Sequence, residues 1–195
     1  MAALLLAVLA DSALAQKADR PEVKVGDQWR FAVYYTVPST APNRAWVITS
    51  VTPVKIEGTD NGELLTLTPE LNVLESSQQT DSNPLALSFP LEVGKQWRYA
   101  TDWFFKPKGS KGSSIVEVVV VGYEKVKVPA GEFDAFKLSS KASLHGRSPI
   151  NSHYAGEVTR TYWYAPAARA IVKSVSHNPY LGPINFDLVE LQLQP

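Results

Sequence analysis

The chain has no cysteine among its 195 residues. That removes disulfides, thiolate catalysis, Cys-ligated metal sites and a lipid-anchoring Cys together. It has no excess charge of either sign, with 19 Lys plus Arg against 19 Asp plus Glu. A protein that grips nucleic acid through phosphates carries a basic surplus, so nucleic acid is not an expected partner. Only three histidines occur, His145, His153 and His177, and none stands in an HxH or HExxH spacing. A metal site would have to be assembled from distant strands, and exposed loop histidines are the simpler reading. The longest apolar run near the start, residues 2–10 (AALLLAVLA), is too short to span a bilayer, so no transmembrane segment is expected.

That run is followed by Ala13-Leu14-Ala15, the small-x-small pattern of a signal-peptidase site, although no Lys or Arg precedes Lys17. Residues 1–15 are therefore read as a signal peptide, 16–22 as a flexible leader and 23–195 as a single β domain. The location that follows is periplasmic or secreted. At 45% hydrophobic and 10% aromatic content the domain can bury a sizeable core without disulfides.

What is present is strand pattern. Val23–Val37 alternates, with Trp29, Phe31, Val33, Tyr35 and Val37 on one face, and Trp46–Ile56 predicts a second strand after two prolines between Pro38 and Arg44. Asp60-Asn61-Gly62 is a turn signal. Leu64–Leu74 is divided by Pro69 into two short strands, and Leu85–Phe89 reads as another, ending at Pro90. Lys106–Ser114 and His145–Gly156 read as polar connections. Val158–Ala165, Ala170–Ser176 and Phe186–Gln194 supply the last strands.

Between them, Ile115–Ser143 reads as a long β-hairpin about a turn at Pro129-Ala130-Gly131. Both faces of Ile115–Val121 are apolar, which predicts a strand covered on both sides, and Gly122 marks a bulge. Glu117 is the exception in that run. It either pairs with a neighbouring Arg or Lys, faces solvent, or is a buried acid fit for proton transfer.

The chain also repeats itself. Gly26-Asp27-Gln28-Trp29-Arg30-Phe31-Ala32 matches Gly94-Lys95-Gln96-Trp97-Arg98-Tyr99-Ala100 at an offset of 68 residues. Two related units are implied, each opening with a glycine turn that delivers a Trp into the core. With no convincing helical stripe, the expected class is all-β: an antiparallel β-sandwich or partly open β-barrel of about ten strands with an internal pseudo-repeat.

Catalytic signatures are missing. Gly109-Ser110-Lys111-Gly112-Ser113-Ser114 is neither a nucleophile elbow nor a phosphate loop, and no cofactor is implied. Lys106, Lys108 and Lys111 either touch an anionic surface such as lipid head groups or belong to a solvated loop. Aromatics are the more suggestive set. In Tyr162-Trp163-Tyr164 both strand faces carry a ring, so rings either pack in a core or line a site for a sugar or an apolar molecule. Trp103, Tyr162, Trp163 and Tyr164 are the candidate ligand-binding residues.

Tyr123–Leu138 (YEKVKVPAGEFDAFKL) and Thr161–Val175 (TYWYAPAARAIVKSV) together resemble a group of uncharacterised exported β-rich bacterial proteins. In that group a V-P-A-G-x-F hairpin precedes a Y-W-[FY]-A-P strand end, and strands open with G-x-x-W-x-[FY]. The resemblance covers most of the mature chain and implies a fold and an export route but no activity. Where such proteins often place Gly after A-P, this chain has Ala167-Ala168-Arg169, and Arg at positive φ would be strained. The expected role is an exported non-enzymatic protein that binds an apolar, lipid-like or glycan ligand or a cell-envelope partner. A hydrolase built on Glu117 or a histidine is the alternative.

Overall fold

The computed structural model describes residues 16–35, 44–150, 152–180 and 182–195. The signal peptide expected at 1–15, and the punctuation between Pro38 and Arg44 up to residue 43, lie outside the described residues. In chain order the strands are β1 (Lys17–Ala18), β2 (Gln28–Tyr35), β3 (Arg44–Val51), β4 (Ile56–Asp60), β5 (Glu63–Leu67), β6 (Val73–Ser76), β7 (Gln79–Asp81), β8 (Leu91–Glu92), β9 (Gln96–Phe105), β10 (Ser110–Val128), β11 (Gly131–Arg147), β12 (His153–Ala165), β13 (Ala170–Asn178) and β14 (Gly182–Gln192). Twelve of them form one closed antiparallel barrel in the order β10-β11-β12-β13-β14-β2-β3-β4-β5-β6-β7-β9, while β1 pairs separately with β8. The all-β antiparallel expectation holds, and of the two architectures left open the barrel is the one formed, closed and not partly open.

The internal repeat explains the strand count. Strands β2 and β9 open the two matching segments, and each leads a run of six consecutive strands around the ring, β2 to β7 and β9 to β14. The two copies therefore stand on opposite sides of the barrel, joined by β8. Their turns are built alike. Gly26 and Gly94 take φ of 91° and 90°, a region where a Cβ would be strained. Each glycine N–H donates to the strand after the one it opens, Gly26 to Ile48 O of β3 and Gly94 to Val120 O of β10, both at 2.9 Å. Each tryptophan then donates its indole N–H to a carbonyl at 2.7 Å, Trp29 to Ala168 and Trp97 to Leu85. A large apolar ring is buried this way without stranding its one donor.

The β10–β11 hairpin contributes the two longest strands, 19 and 17 residues. Its turn is the two residues Pro129-Ala130, with Val128 opposite Gly131. Register shifts between Val120 and Gly122, so the bulge sits where the glycine announced it. Val116, Val118 and Val120 point into the barrel, but Ile115 and Val121 keep 43% and 48% exposure. The expectation of a doubly covered strand is corrected here: a barrel wall has one inner face, and β branching on the outer face serves strand propensity. Glu117 stands on that outer face, with Oε1 3.7 Å from Arg98 Nε. Past the bulge the hairpin tip folds onto β14, where Ala130 N–H donates to Leu188 O at 3.1 Å.

Other boundaries differ from the sequence reading. Trp46–Ile56 is two strands, β3 and the start of β4, because Pro53 has no N–H to give a ladder and Thr52–Lys55 closes a turn. The polar stretch Lys106–Ser114 is mostly strand: a single 3-10 turn at Lys106–Lys108, capped by Gly109 at φ 58°, returns the chain into β10. Most of His145–Gly156 is likewise strand, its small and polar residues being those of a wall with one solvent face. The leader at 16–22 is held, since Lys17 and Ala18 pair with Glu92 and Leu91 and Ala18 is buried. Asn61 and Gly62 have φ of 55° and 84° between Asp60 and Glu63, the two-residue hairpin expected there.

Leu85–Phe89 is not a strand. Its backbone bonds are taken by side chains: Trp97 Nε1 donates to Leu85 O at 2.7 Å, Tyr162 Oη to Ala86 O at 2.6 Å and Asn72 Nδ2 to Leu87 O at 2.9 Å, while the Leu87 N–H donates to Asn72 Oδ1 at 2.7 Å. Leu87 and Leu91 pack there against Val116, Val118, Val120, Leu138, Tyr162 and Tyr164. Eight strands make a barrel that side chains just fill, so twelve need a filler. The segment 84–91 supplies it at the end of the barrel where β9 begins.

The outer surface carries charge in pairs: Arg30–Glu190 at 3.0 Å, Lys141–Glu157 at 2.6 Å and Lys137–Glu124 at 3.1 Å. The lipid-facing band of a membrane barrel is apolar with a polar interior; here charged pairs interrupt the outer face and most of the cavity lining is apolar. Among the described residues no helix is long and apolar enough to cross a membrane.

Candidate functional site

Filling stops part-way along the barrel. Beyond the level of Leu87 and Tyr162 the interior holds a cavity of about 720 Å³, inside the range of small-molecule sites. Its rim is at the end where β9 turns into β10, marked by the exposed residues Lys108 and Tyr180, and its deep side reaches Trp29, Leu87 and Ala170. The position follows from strand direction. The inner face of β9 presents Tyr99, Thr101, Trp103 and Phe105 in alternation, and β10 and β11 oppose them with small residues, Ser114 and Ala142.

Rings make most of the wall. Phe31 meets Trp46 at 5.5 Å and Phe186 at 5.4 Å between centroids, both edge-on. Trp103 has its place because its partner on β10 is Gly112: a Cβ there would stand 2.6 Å from Trp103 Cζ2 and 2.0 Å from His145 O. The Trp103 indole N–H donates to Ser114 Oγ at 3.1 Å. At the rim the Tyr180 ring leans on Gly156, where a Cβ would meet Cε2 at 3.2 Å, and the Tyr180 hydroxyl donates to Ala155 O.

Polar groups inside are few. Arg44 Nε donates to Asp60 Oδ2 at 2.8 Å. Asp81 is pushed above its ordinary carboxyl range by burial, offset in part by hydrogen bonds from Gln79 and Thr101. Trp46 Nε1 and Asp60 Oδ1, a donor and an acceptor on paired residues of β3 and β4, have no partner among the described residues. Arg160 of β12 is half-buried and lines the cavity. Its Nε donates to Ser174 Oγ at 2.7 Å, and its guanidinium lies 4.6 Å from the Tyr162 ring centroid and 5.8 Å from that of Phe186.

The barrel resembles the YmcC-like fold. Three crystal structures show the likeness. A Bacteroides fragilis protein described as exported and YmcC-like is 16% identical with a TM-score of 0.55, covering 90% of this chain and 99% of its own. A Parabacteroides distasonis protein described as a lipoprotein is 14% identical with a TM-score of 0.56, over 90% of this chain and 99% of its own. The Escherichia coli protein YmcC, described as a hypothetical lipoprotein, is 10% identical with a TM-score of 0.50, over 87% of this chain and 85% of its own. No family model and no curated protein sequence matches the chain.

In this YmcC-like barrel the four candidate aromatics part company. Trp103 lines the cavity. Tyr162 and Tyr164 face inward but are buried in the packed core below it, and burial pushes both phenols well above the ordinary range. Trp163 faces outward, donating to Glu124 Oε1 at 2.8 Å between Lys137 and Lys173, whose ammonium nitrogens lie 5.3 and 5.9 Å from its ring centroid. That indole N–H, with Lys137, holds the Glu124 carboxyl below its usual range.

The remaining candidates do not converge. His145 and His153 flank a shallow trough on the outer wall beside Asp102, and among the described residues no group of three or more His, Asp or Glu could hold a metal ion. Lys106 is engaged by Glu75 at 2.8 Å, apart from Lys111 in the trough and Lys108 at the rim. Sequence reading missed Arg160. The signal was present, since Arg160, Tyr162 and Tyr164 share one strand face, but Trp163 marked the opposite face as equally apolar.

Proposed function

We propose that this chain is an exported, non-enzymatic binding protein that holds an apolar, lipid-like molecule inside its barrel. The observation that carries the reading is the 720 Å³ cavity walled by Phe31, Trp46, Trp103, Phe105 and Phe186 within a closed barrel whose outside is charged. Apolar lining of that extent favours an apolar occupant. A sugar site would want an exposed ring face, and the outward candidate, Trp163, is flanked by two lysines. Export is supported by the leader pattern at 1–15 and by the descriptions of the similar structures as exported or as lipoproteins. A binding role is supported over hydrolysis by the placement of Glu117 on the outer wall against Arg98, away from the cavity.

The test is uptake of the neutral apolar probe N-phenyl-1-naphthylamine by the purified barrel, together with native mass spectrometry of the protein from its host envelope. Saturable probe binding near one equivalent is expected, displaced by long-chain alcohols. Ala142→Trp, which places an indole in the cavity, is expected to abolish it. A wild-type protein that takes up no probe and carries no lipid refutes the proposal.

A further inference from the structure

Arg160 is difficult to account for as a packing residue. Transfer of a cation into an apolar interior is costly unless a carboxylate or a full set of acceptors compensates it. Among the described residues no carboxylate oxygen lies within 4.0 Å of its nitrogens, whereas Arg44 and Arg169, which also line the cavity, are paired with Asp60 and Asp27 at 2.5 and 3.0 Å. Asp81, an acid on the cavity wall, has its carboxyl pushed above the ordinary range by burial and is engaged by Gln79 and Thr101, with no ion pair to Arg160 among the described residues. Among the described residues the Arg160 side chain makes one hydrogen bond, from Nε to Ser174 Oγ, and that bond aims the guanidinium. Tyr162 and Phe186 flank it in cation–π contact, their ring centroids 4.6 and 5.8 Å from Cζ. The Nη1 and Nη2 donors meet no acceptor among the described residues, and they stand at the cavity surface. A planar fork held by its third nitrogen and two rings, with the paired donors turned toward an apolar space, is the arrangement that receives a carboxylate or phosphate two-pronged.

We infer that the occupant is an amphiphile with an anionic head, its carboxylate or phosphate seated on Arg160 inside the barrel and its acyl chain lying along the aromatic wall toward the Lys108 and Tyr180 rim. This rests on the proposed binding of an apolar molecule and adds the head group, its polarity and its direction. Tyr99 of β9 lies within electrostatic reach of Arg160, and Thr101 of the same strand lines the cavity with it.

The experiment displaces N-phenyl-1-naphthylamine with hexadecanoate, hexadecyl phosphate and hexadecanol, equal in chain and different in head. The expected result with wild type is that one or both anions displace the probe at a concentration about 10- to 100-fold below hexadecanol, the span of a charged hydrogen bond. Which anion wins distinguishes a free fatty acid from a phosphate-headed lipid. In Arg160→Gln the ratio of anion to alcohol is expected to fall toward one, and in Arg160→Lys to be partly kept. Equal displacement by all three in wild type overturns this inference while leaving apolar binding intact, and that comparison needs no variant to fold. A wild-type protein that binds the probe but prefers hexadecyltrimethylammonium also overturns it. Failure to bind the probe at all overturns both readings.

Discussion

Arg169 stands at φ 50° and ψ 30°, a left-handed conformation that glycine adopts most readily, and the structure shows what holds it there. Its Nη1 donates to Asp27 Oδ2 at 3.0 Å, and Asp27 has no exposed surface. The same carboxylate takes Lys24 N–H at 2.9 Å on Oδ2 and Gln194 N–H at 2.7 Å on Oδ1. One acid thus ties the first glycine turn, the turn after β12 and the C-terminal tail. Asp27→Ala loses three hydrogen bonds to a charged acceptor, each worth about 1.5–3 kcal/mol in isolation, and breaks a buried pair, typically about 3–5 kcal/mol. Because the Arg169 side chain retains 22% exposure it can rehydrate, so the low end applies, about 3 kcal/mol. For a chain of this size that is a fall in Tm of about 6–12 °C. Arg169→Gly relieves a left-handed strain of about 1 kcal/mol while losing the pair, and Arg169→Ala keeps the strain, so Ala should be worse than Gly by about that amount. Urea unfolding followed by tryptophan fluorescence gives each value at constant m. The double variant Asp27→Ala/Arg169→Gly should cost less than the sum of the singles. A loss under about 0.5 kcal/mol for Asp27→Ala, or strict additivity, refutes the account.

Two further outcomes are expected. Burial raises the folded-state pKa of Asp81, so the folded protein binds the proton more tightly than the unfolded chain and stability declines as pH rises through the interval above the ordinary carboxyl value; Asp81→Asn should raise Tm near neutral pH and flatten its pH dependence, checked by thermal melts across the acid range, and an unchanged slope would contradict it. Gly112→Ala must displace Trp103 or the β11 backbone, costing about 1–3 kcal/mol with a shift in tryptophan emission, and a variant with wild-type melting and emission would show that the wall is looser than described.

Much of the fold is legible in local chemistry. Asn61-Gly62, Pro129-Ala130-Gly131 and the Gly122 bulge are set by which residues tolerate a positive φ or lack a donor, and that is decided within a few residues. The repeated G-x-Q-W-R-[FY]-A segment is legible for the same reason, and it predicts two related units. Of the readings open for Glu117, the structure selects the solvent face with a basic neighbour, Arg98. The errors share one cause. Leu85–Phe89 has strand composition but bonds to side chains of Trp97, Tyr162 and Asn72, which come from three other places in the chain. Ile115–Val121 is apolar on both sides, and alternation alone does not reveal that one side is the outside of a barrel. Lys106–Ser114 is rich in Gly, Ser and Lys because it passes beneath Trp103 on one side and meets solvent on the other.

The candidate site divides in the same way. By itself the sequence determined the class, the two Trp-led units, most of the turns and the surplus of aromatic rings, because strand periodicity and turn stereochemistry are local properties of the chain. Tertiary structure alone decided that the units close into a ring, that a looped segment fills only part of it, and that Arg160 comes to the surviving cavity without a carboxylate. Closure, volume and charge compensation are sums over residues far apart in sequence, and no window of the chain contains them.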